Sequence, residues 1–176
     1  MMDDCPQIIG GSGFIGTSLS KQYLNNNQKF LVIDKNLPSN SEFNFIKVDI
    51  TDKGQFIKKR NRGPIINLAA EHRDDVTPKS LYYLTNVEGA KNVCDYATLN
   101  HCKKIIFTSS VAVYGIENTD VSESHATKPF NDYGKSKLAA EEIYINWQKA
   151  KPLERTLILI RPTVVFGEGN RGNVYN

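Results

Sequence analysis

Cysteine is scarce in this chain: three residues, Cys5, Cys94 and Cys102, among 176. They are too few and too scattered for a disulfide framework, and no CxxC or Cys/His cluster marks a metal site. Three reduced thiols in a cytoplasmic protein is the reading that follows. Long apolar runs are also missing; none approaches the roughly 20 residues that span a bilayer. The opening MMDDCPQ is acidic where a signal peptide is basic. Charge of one sign does not accumulate either. The net charge is +3 with the basic residues scattered, which gives no case for nucleic acid or a membrane surface as partner. Internal repeats and low-complexity segments are absent. What is present is an ordinary globular composition, 40% hydrophobic and 23% charged, long enough for one domain with a sizeable core.

Short apolar runs alternate with amphipathic stretches. Strands are expected at Gln7 to Gly10, Phe30 to Asp34, Phe45 to Val48, Ile65 to Ala69, Lys104 to Thr108 and Leu157 to Arg161. They are rich in Ile, Val and Phe, and most lack polar alternation, as strands buried on both faces do. Pro6 belongs ahead of the first strand, because a central strand has no place for it. Leu81, Leu84, Val87, Cys94 and Ala97 mark one face of a helix from about Pro78 to Leu99, and Leu138 and Ile145 one from Asp132 to about Lys149. Pro78 and Pro129 sit just ahead of these helices, where a missing N–H costs little. Strand–helix alternation implies right-handed crossovers and a parallel sheet with helices on both sides.

GGSGFIG follows the first strand and opens a helix. Gly10, Gly13 and Gly16 have the spacing of a loop that makes a tight turn, approaches a pyrophosphate closely and packs helix on strand. Phe14 and Ile15 lie in the helix N-terminus, whose free N–H groups favour phosphate. The second strand ends at Asp34, near the offset at which a carboxylate meets the adenosine ribose and repels a 2′-phosphate. That favours NAD over NADP, although the cation of Lys35 pulls the other way. Asp49 and Ile50 end the third strand, placed for polar and apolar contact with an adenine.

TSSVAVYG ends the fifth strand, and PFNDYGKSK begins the last long helix. Tyr133 and Lys137 are four apart and share a helix face. A phenol with a pKa near 10 is a poor base at neutral pH. An ammonium held ~4 Å away favours phenolate by about 4 kcal/mol at an effective dielectric of ~20. Such a tyrosine can take the proton of an alcohol as hydride leaves its carbon, and Ser110 would hold the reacting oxygen.

With these residues in view, the chain resembles the extended short-chain dehydrogenases/reductases, the NAD-dependent epimerase/dehydratase family, and within them the UDP-galactose 4-epimerase-like branch. The resemblance rests on five ordered segments, GGSGFIG, VIDKN, NLAAEH, TSSVAVYG and YGKSK. It implies an α/β Rossmann-type fold, a doubly wound parallel sheet with helices on both faces, over residues 1–176. A C-terminal substrate lobe would begin near NRGN, Asn170 to Asn173, and be largely absent. It implies Ser110 rather than Ser109 as the catalytic hydroxyl, with Tyr133 and Lys137 completing the set. Leu68, Ala69 and Ala70 would run under the cofactor, and Arg161 and Pro162 would start the segment passing its nicotinamide. Asn86, in TNVEGAKN, would support the active-site geometry; as a bare sequence feature it is equally a tolerated mid-helix residue. The family's homodimer makes Tyr82, Tyr83, Tyr144 and Trp147 candidates for an intersubunit surface, or equally for the core.

Two departures matter. Ile9 stands where the family often has Thr. Ser110 is followed by Val111 and Ala112 rather than the Asp-Glu of the dehydratases, which disfavours dehydration. The leading expectation is therefore a nucleotide-sugar 4-epimerase working through a transient 4-keto sugar with bound NAD. A nucleotide-sugar dehydrogenase or keto-reductase is second. A non-catalytic nucleotide sensor is third, disfavoured because the tyrosine–lysine pair is kept.

Overall fold

The computed structural model describes residues 4–56, 61–116 and 121–168. The NRGN segment lies outside the described residues. Six parallel strands form one sheet in the order β3-β2-β1-β4-β5-β6. They are β1 (Gln7–Ile9), β2 (Leu31–Asp34), β3 (Phe45–Lys47), β4 (Ile65–Asn67), β5 (Lys104–Thr108) and β6 (Thr156–Ile160). Pro6 indeed precedes β1, and its carbonyl accepts the Leu31 N–H at 2.9 Å. The chain order reverses between β1 and β4, so the loops leaving these two neighbours part there and open a crevice at the carboxyl edge.

Alternate residues of each strand feed two cores. Ile8, Val32 and Ile66 pack with Leu19, Tyr23 and Leu24 of α1 (Phe14–Asn25). Ile9, Ile33, Ile65, Ile105 and Phe107 pack with α4 (Gly89–Leu99) and α5 (Asp132–Lys149). A short α2 (Lys53–Phe56) brings Phe56 onto Tyr96, ring centroids 4.6 Å apart. Among the described residues the α1 side of β6 is uncovered, leaving Ile158 and Ile160 42% and 45% exposed.

The helix expected from Pro78 to Leu99 is not uniform. It runs as α3 (Ser80–Tyr83), a π-helical turn at Leu84–Glu88, then α4. The wide turn shifts the face by one residue, so Leu84 is exposed while Asn86 is buried. Such turns inside α-helices cluster at functional sites. On α5 the inward stripe is Ser136, Lys137, Ala140, Glu141, Tyr144 and Trp147 rather than Leu138 and Ile145, which are half-buried. Of the four aromatic residues open to either role, Tyr82, Tyr144 and Trp147 are core and only Tyr83 reaches the surface.

Candidate active site

The glycine loop sits on one side of the crevice, and its glycines answer different demands. Gly10 has φ +75°, and a Cβ there would lie 2.5 Å from the Ala69 backbone nitrogen, so β1's exit touches the segment leaving β4. At Gly16 a Cβ would stand 2.4 Å from Gly11 Cα, inside the helix–strand contact. Gly13 differs. It is the N-cap of α1 with no side-chain cap, and a Cβ there meets nothing of the chain nearer than the Gly10 carbonyl at 3.4 Å. That methyl would instead fill the space over the first turn, where Phe14, Ile15 and Gly16 begin the helix with uncapped amides. The cradle fits a diphosphate.

Asp34 closes the loop from β2. Its Oδ2 accepts the Ser12 N–H at 3.0 Å and its Oδ1 the Asn36 N–H at 2.9 Å. An ionised carboxylate has further lone pairs for ribose hydroxyls. Lys35 beside it is exposed. Asp49 is half-buried and holds Thr51 through its Oδ1, at 2.9 Å from both the amide and the hydroxyl. Ile50 is buried against Gly89, and its carbonyl accepts from Asn92 at 2.7 Å. Leu68, Ala69 and Ala70 are half-buried at the opposite lip of the crevice. Buried Asn67 steadies them, accepting the Ala69 N–H at 3.1 Å and donating to the Tyr144 hydroxyl at 2.6 Å. A cleft of about 750 Å³ adjoins Phe14 and Ile15 but reaches Val165 to Glu168 rather than the catalytic trio.

At the end of β5 the chain turns into a 3₁₀ segment, Val111–Tyr114. Ser110 caps it, its Oγ accepting the Ala112 N–H at 3.1 Å. Its hydroxyl proton is then left for the Tyr133 phenol, which it faces. The neighbouring Ser109 hydroxyl is shut away from solvent, so of the two serines only Ser110 is presented to the site. Val111 and Ala112 offer no proton donor. Lys137 is 1% exposed, with Nζ donating to the Thr108 carbonyl at 2.7 Å and lying 4.2 Å from the Phe107 ring centroid.

The electrostatics correct one expectation. Burial is the largest influence on both partners. It pushes the Tyr133 phenol above its ordinary range, with Ser110 pulling back, and brings the Lys137 ammonium down to about 7, with Glu141 pulling back. Burial therefore works against the ionised phenol that the lysine charge favours. Desolvation disfavours both charged forms and offsets the attraction that a surface-like pair would have.

Asn86 is buried and bonds both to the segment leaving β4 and to α5. Its Oδ1 accepts the Glu71 N–H at 2.9 Å, and its Nδ2 donates to the Glu71 carbonyl at 3.0 Å and to Ser136 Oγ at 2.8 Å. Ser136 in turn donates to the Tyr133 carbonyl at 2.8 Å. The segment leaving β4 is thereby tied to α5 beside Tyr133. Arg161 is differently engaged than expected. Its guanidinium binds Glu141 through two bonds of 2.9 and 2.6 Å and also donates to the Tyr114 hydroxyl. Pro162 contributes its carbonyl to the Val111 N–H at 3.1 Å. Sequence periodicity does not single out Ser136 or Glu141; the available signal was a polar pair on the same helix stripe as Lys137.

The crevice, its uncapped helix and the serine–tyrosine–lysine set define a dinucleotide-dependent oxidoreductase-type site. The chain belongs to the NAD dependent epimerase/dehydratase family, whose model matches residues 7–175. It is 46% identical, over 99% of its length and 53% of the relative's, to the N-acetyl-alpha-D-glucosaminyl-diphospho-ditrans,octacis-undecaprenol 4-epimerase of Escherichia coli O157:H7. With UDP-glucose 4-epimerase 2 of Oryza sativa subsp. japonica it shares 32% identity, over 88% of the chain and 43% of that protein. Among solved structures, the UDP-Glc/GlcNAc 4-epimerase from Campylobacter jejuni has a TM-score of 0.78 at 28% identity, covering 90% of this chain and 53% of that one. The UDP-glucose 4-epimerase from Brucella ovis in complex with NAD has a TM-score of 0.78 at 26% identity, covering 90% and 51%. The chain spans about half the length of the curated relatives it matches. No helix among the described residues is long and apolar enough to cross a membrane.

Proposed function

We propose that this chain is the cofactor-binding half of a 4-epimerase that inverts a hydroxyl of a diphosphate-linked sugar, with NAD as its coenzyme. What supports the proposal is the Ser110 hydroxyl on the Tyr133 phenol and the Lys137 ammonium on the Thr108 carbonyl at the carboxyl edge of β5, beside a crevice whose glycines leave room for a diphosphate. The α1 amides, Gly10, Gly13 and Gly16 receive the pyrophosphate, Asp34 the adenosine ribose, Asp49 and Ile50 the adenine, and Leu68 to Ala70 the underside of the cofactor. The chemistry NAD supplies when bound is reversible hydride acceptance from the sugar carbon, giving a transient 4-keto sugar that turns before hydride returns to its other face.

The residues of this chain manage the proton. Ser110 holds the sugar oxygen in register with the phenol. Tyr133 takes the hydroxyl proton and gives it back to the same oxygen after the sugar has turned. Burial keeps the phenol protonated at rest, so cationic charge must accumulate beside it before it acts as a base, and Lys137 provides part of that charge. Asn86 and Ser136 fix the angle of α5. Val111 and Ala112 provide no group for eliminating water.

Net redox change is nil in this reaction, which supports retention of tightly held NAD. Nucleotide sugars are the substrates the motifs favour. The higher identity to the undecaprenyl-diphosphate epimerase than to the UDP-glucose epimerase favours a second carrier, a polyprenyl diphosphate. A homodimer and a cytoplasmic setting complete the proposal, the latter supported by the free buried thiols of Cys94 and Cys102. The test is a panel of UDP-hexoses and polyprenyl-diphosphate sugars offered to the whole protein, with and without added NAD. Epimerised product with no cofactor consumed supports the proposal. Stoichiometric consumption of cofactor replaces it with the dehydrogenase or reductase, and Tyr133→Phe turning over like the parent removes the catalytic assignment.

A further inference from the structure

Glu141 is 1% exposed on α5, one turn beyond Lys137. Arg161, at the end of β6, clamps it with Nε–Oε1 at 2.9 Å and Nη2–Oε2 at 2.6 Å. The same guanidinium bonds the Tyr114 hydroxyl and lies 4.9 Å from the Tyr114 ring centroid. Tyr114 ends the 3₁₀ turn that Ser110 caps. One ion pair therefore joins the serine turn, the tyrosine–lysine helix and the last strand of the sheet.

Stability alone does not account for it. A buried ion pair seldom outperforms apolar side chains of the same volume, because desolvating both charges offsets their attraction. Its placement is what distinguishes it. Among the described residues, charged and titratable groups around Lys137 are few: Glu141 on its own helix, Arg161 behind it from β6, Tyr133 one turn before, and Tyr144 packed on the Phe107 ring that the ammonium also meets. β5 offers Lys137 only the Thr108 carbonyl and that ring. Facing Tyr133 are Ser110 from the turn, Tyr82 from α3 and Asp74 from the loop before it. Among the described residues, Glu141 is the one carboxylate opposing the effect of burial on Lys137.

We propose that Glu141 is a positioning residue for proton transfer: clamped by Arg161, its carboxylate is the counter-charge of Lys137, and the same clamp fastens the Ser110 turn to the helix bearing Tyr133. The proposal rests on the catalytic reading of Ser110, Tyr133 and Lys137 given above. Arg161 accordingly acts through Glu141 and Tyr114. No direct contact between Arg161 and the coenzyme is needed.

The experiment is the pH dependence of kcat in the whole protein for the parent, Glu141→Gln, Glu141→Asp and Tyr133→Phe, with retained NAD as the check on folding. Without the carboxylate, Lys137 gives up its proton more readily. The limb on which activity falls as Lys137 loses its proton should move acid by about one pH unit in Glu141→Gln, as expected for losing one nearby opposite charge, with KM little changed. Glu141→Asp keeps the charge and should leave the limb in place even where its rate falls. A uniform loss at every pH in Glu141→Gln, no change in it, or an equal shift in Glu141→Asp overturns the proposal. If Glu141→Gln does not retain NAD, the Glu141→Asp profile alone decides. A fully active Tyr133→Phe would instead overturn the catalytic reading itself.

Discussion

Replacing Gly13 with alanine separates folding from cofactor binding, because the structure gives this glycine no steric duty toward its own chain. Its φ is −74° and ψ 179°, angles any residue adopts, and an added Cβ meets only the Gly10 carbonyl at 3.4 Å. Alanine is a poorer N-cap than glycine by about 0.5–1 kcal/mol. In a domain of this size that lowers the melting temperature by roughly 1–4 °C. The methyl does, however, occupy the space where a diphosphate would approach the α1 amides. Each hydrogen bond to a charged group is worth about 1.5–3 kcal/mol, and about 1.4 kcal/mol is tenfold in affinity. Displacement of even one bond therefore weakens NAD binding by about tenfold or more. Gly10→Ala is the contrast. At φ +75° with backbone 2.5 Å away it damages the fold itself. Calorimetric titration with NAD alongside thermal melts of parent, Gly13→Ala and Gly10→Ala measures both effects. Parental NAD affinity in Gly13→Ala, or a melting temperature as low as that of Gly10→Ala, would refute the reasoning.

Stability without NAD should depend on pH through Lys137. Its folded pKa of about 7 lies below the ordinary 10.5. Between those values the unfolded chain carries a proton the folded chain lacks, so stability rises with pH, by about 1.4 kcal/mol per unit for one proton. Above about pH 9 the opposing ionisation of unfolded cysteines sets in, since burial pushes Cys94 and Cys102 up to about 12 and about 11. Urea unfolding between pH 7 and 8.5 should show the rise in the parent and its loss in Lys137→Met; a flat parent profile contradicts the assignment. Asn86→Ala strands two half-buried backbone groups of Glu71 and one bond of Ser136. It should cost about 2–4 kcal/mol in urea unfolding, and a loss below about 1 kcal/mol would mean that the clamp is not tight.

Much of the architecture was legible because parallel strands buried on both faces write continuous apolar runs. β1 through β6 fall within a residue or two of expectation, and α5 begins and ends where its pattern does. The π-turn at Leu84–Glu88 was not legible. It changes hydrogen-bond register without changing composition, so Leu84 was read as inward when Asn86 is. The inner face of α5 misled for a related reason: its stripe carries Ser136, Lys137 and Glu141, polar residues that a hydropathy period assigns to solvent. Spacing placed Tyr133 and Lys137 on one face but held no information on burial, and burial reverses the charge argument. For Arg161 the surrounding segment suggested a cofactor contact. Its partners, Glu141 and Tyr114, are 20 and 47 residues away in sequence.

The central claim is that inversion proceeds by removal and return of one hydrogen at a single sugar carbon, with Tyr133 exchanging only the hydroxyl proton. Turnover of the diphosphate-linked sugar by the whole protein in deuterium oxide, read by mass spectrometry and proton NMR of the product, addresses it directly. The account predicts an epimer with no deuterium at the inverted carbon and no net change in cofactor. Deuterium at that carbon would contradict it.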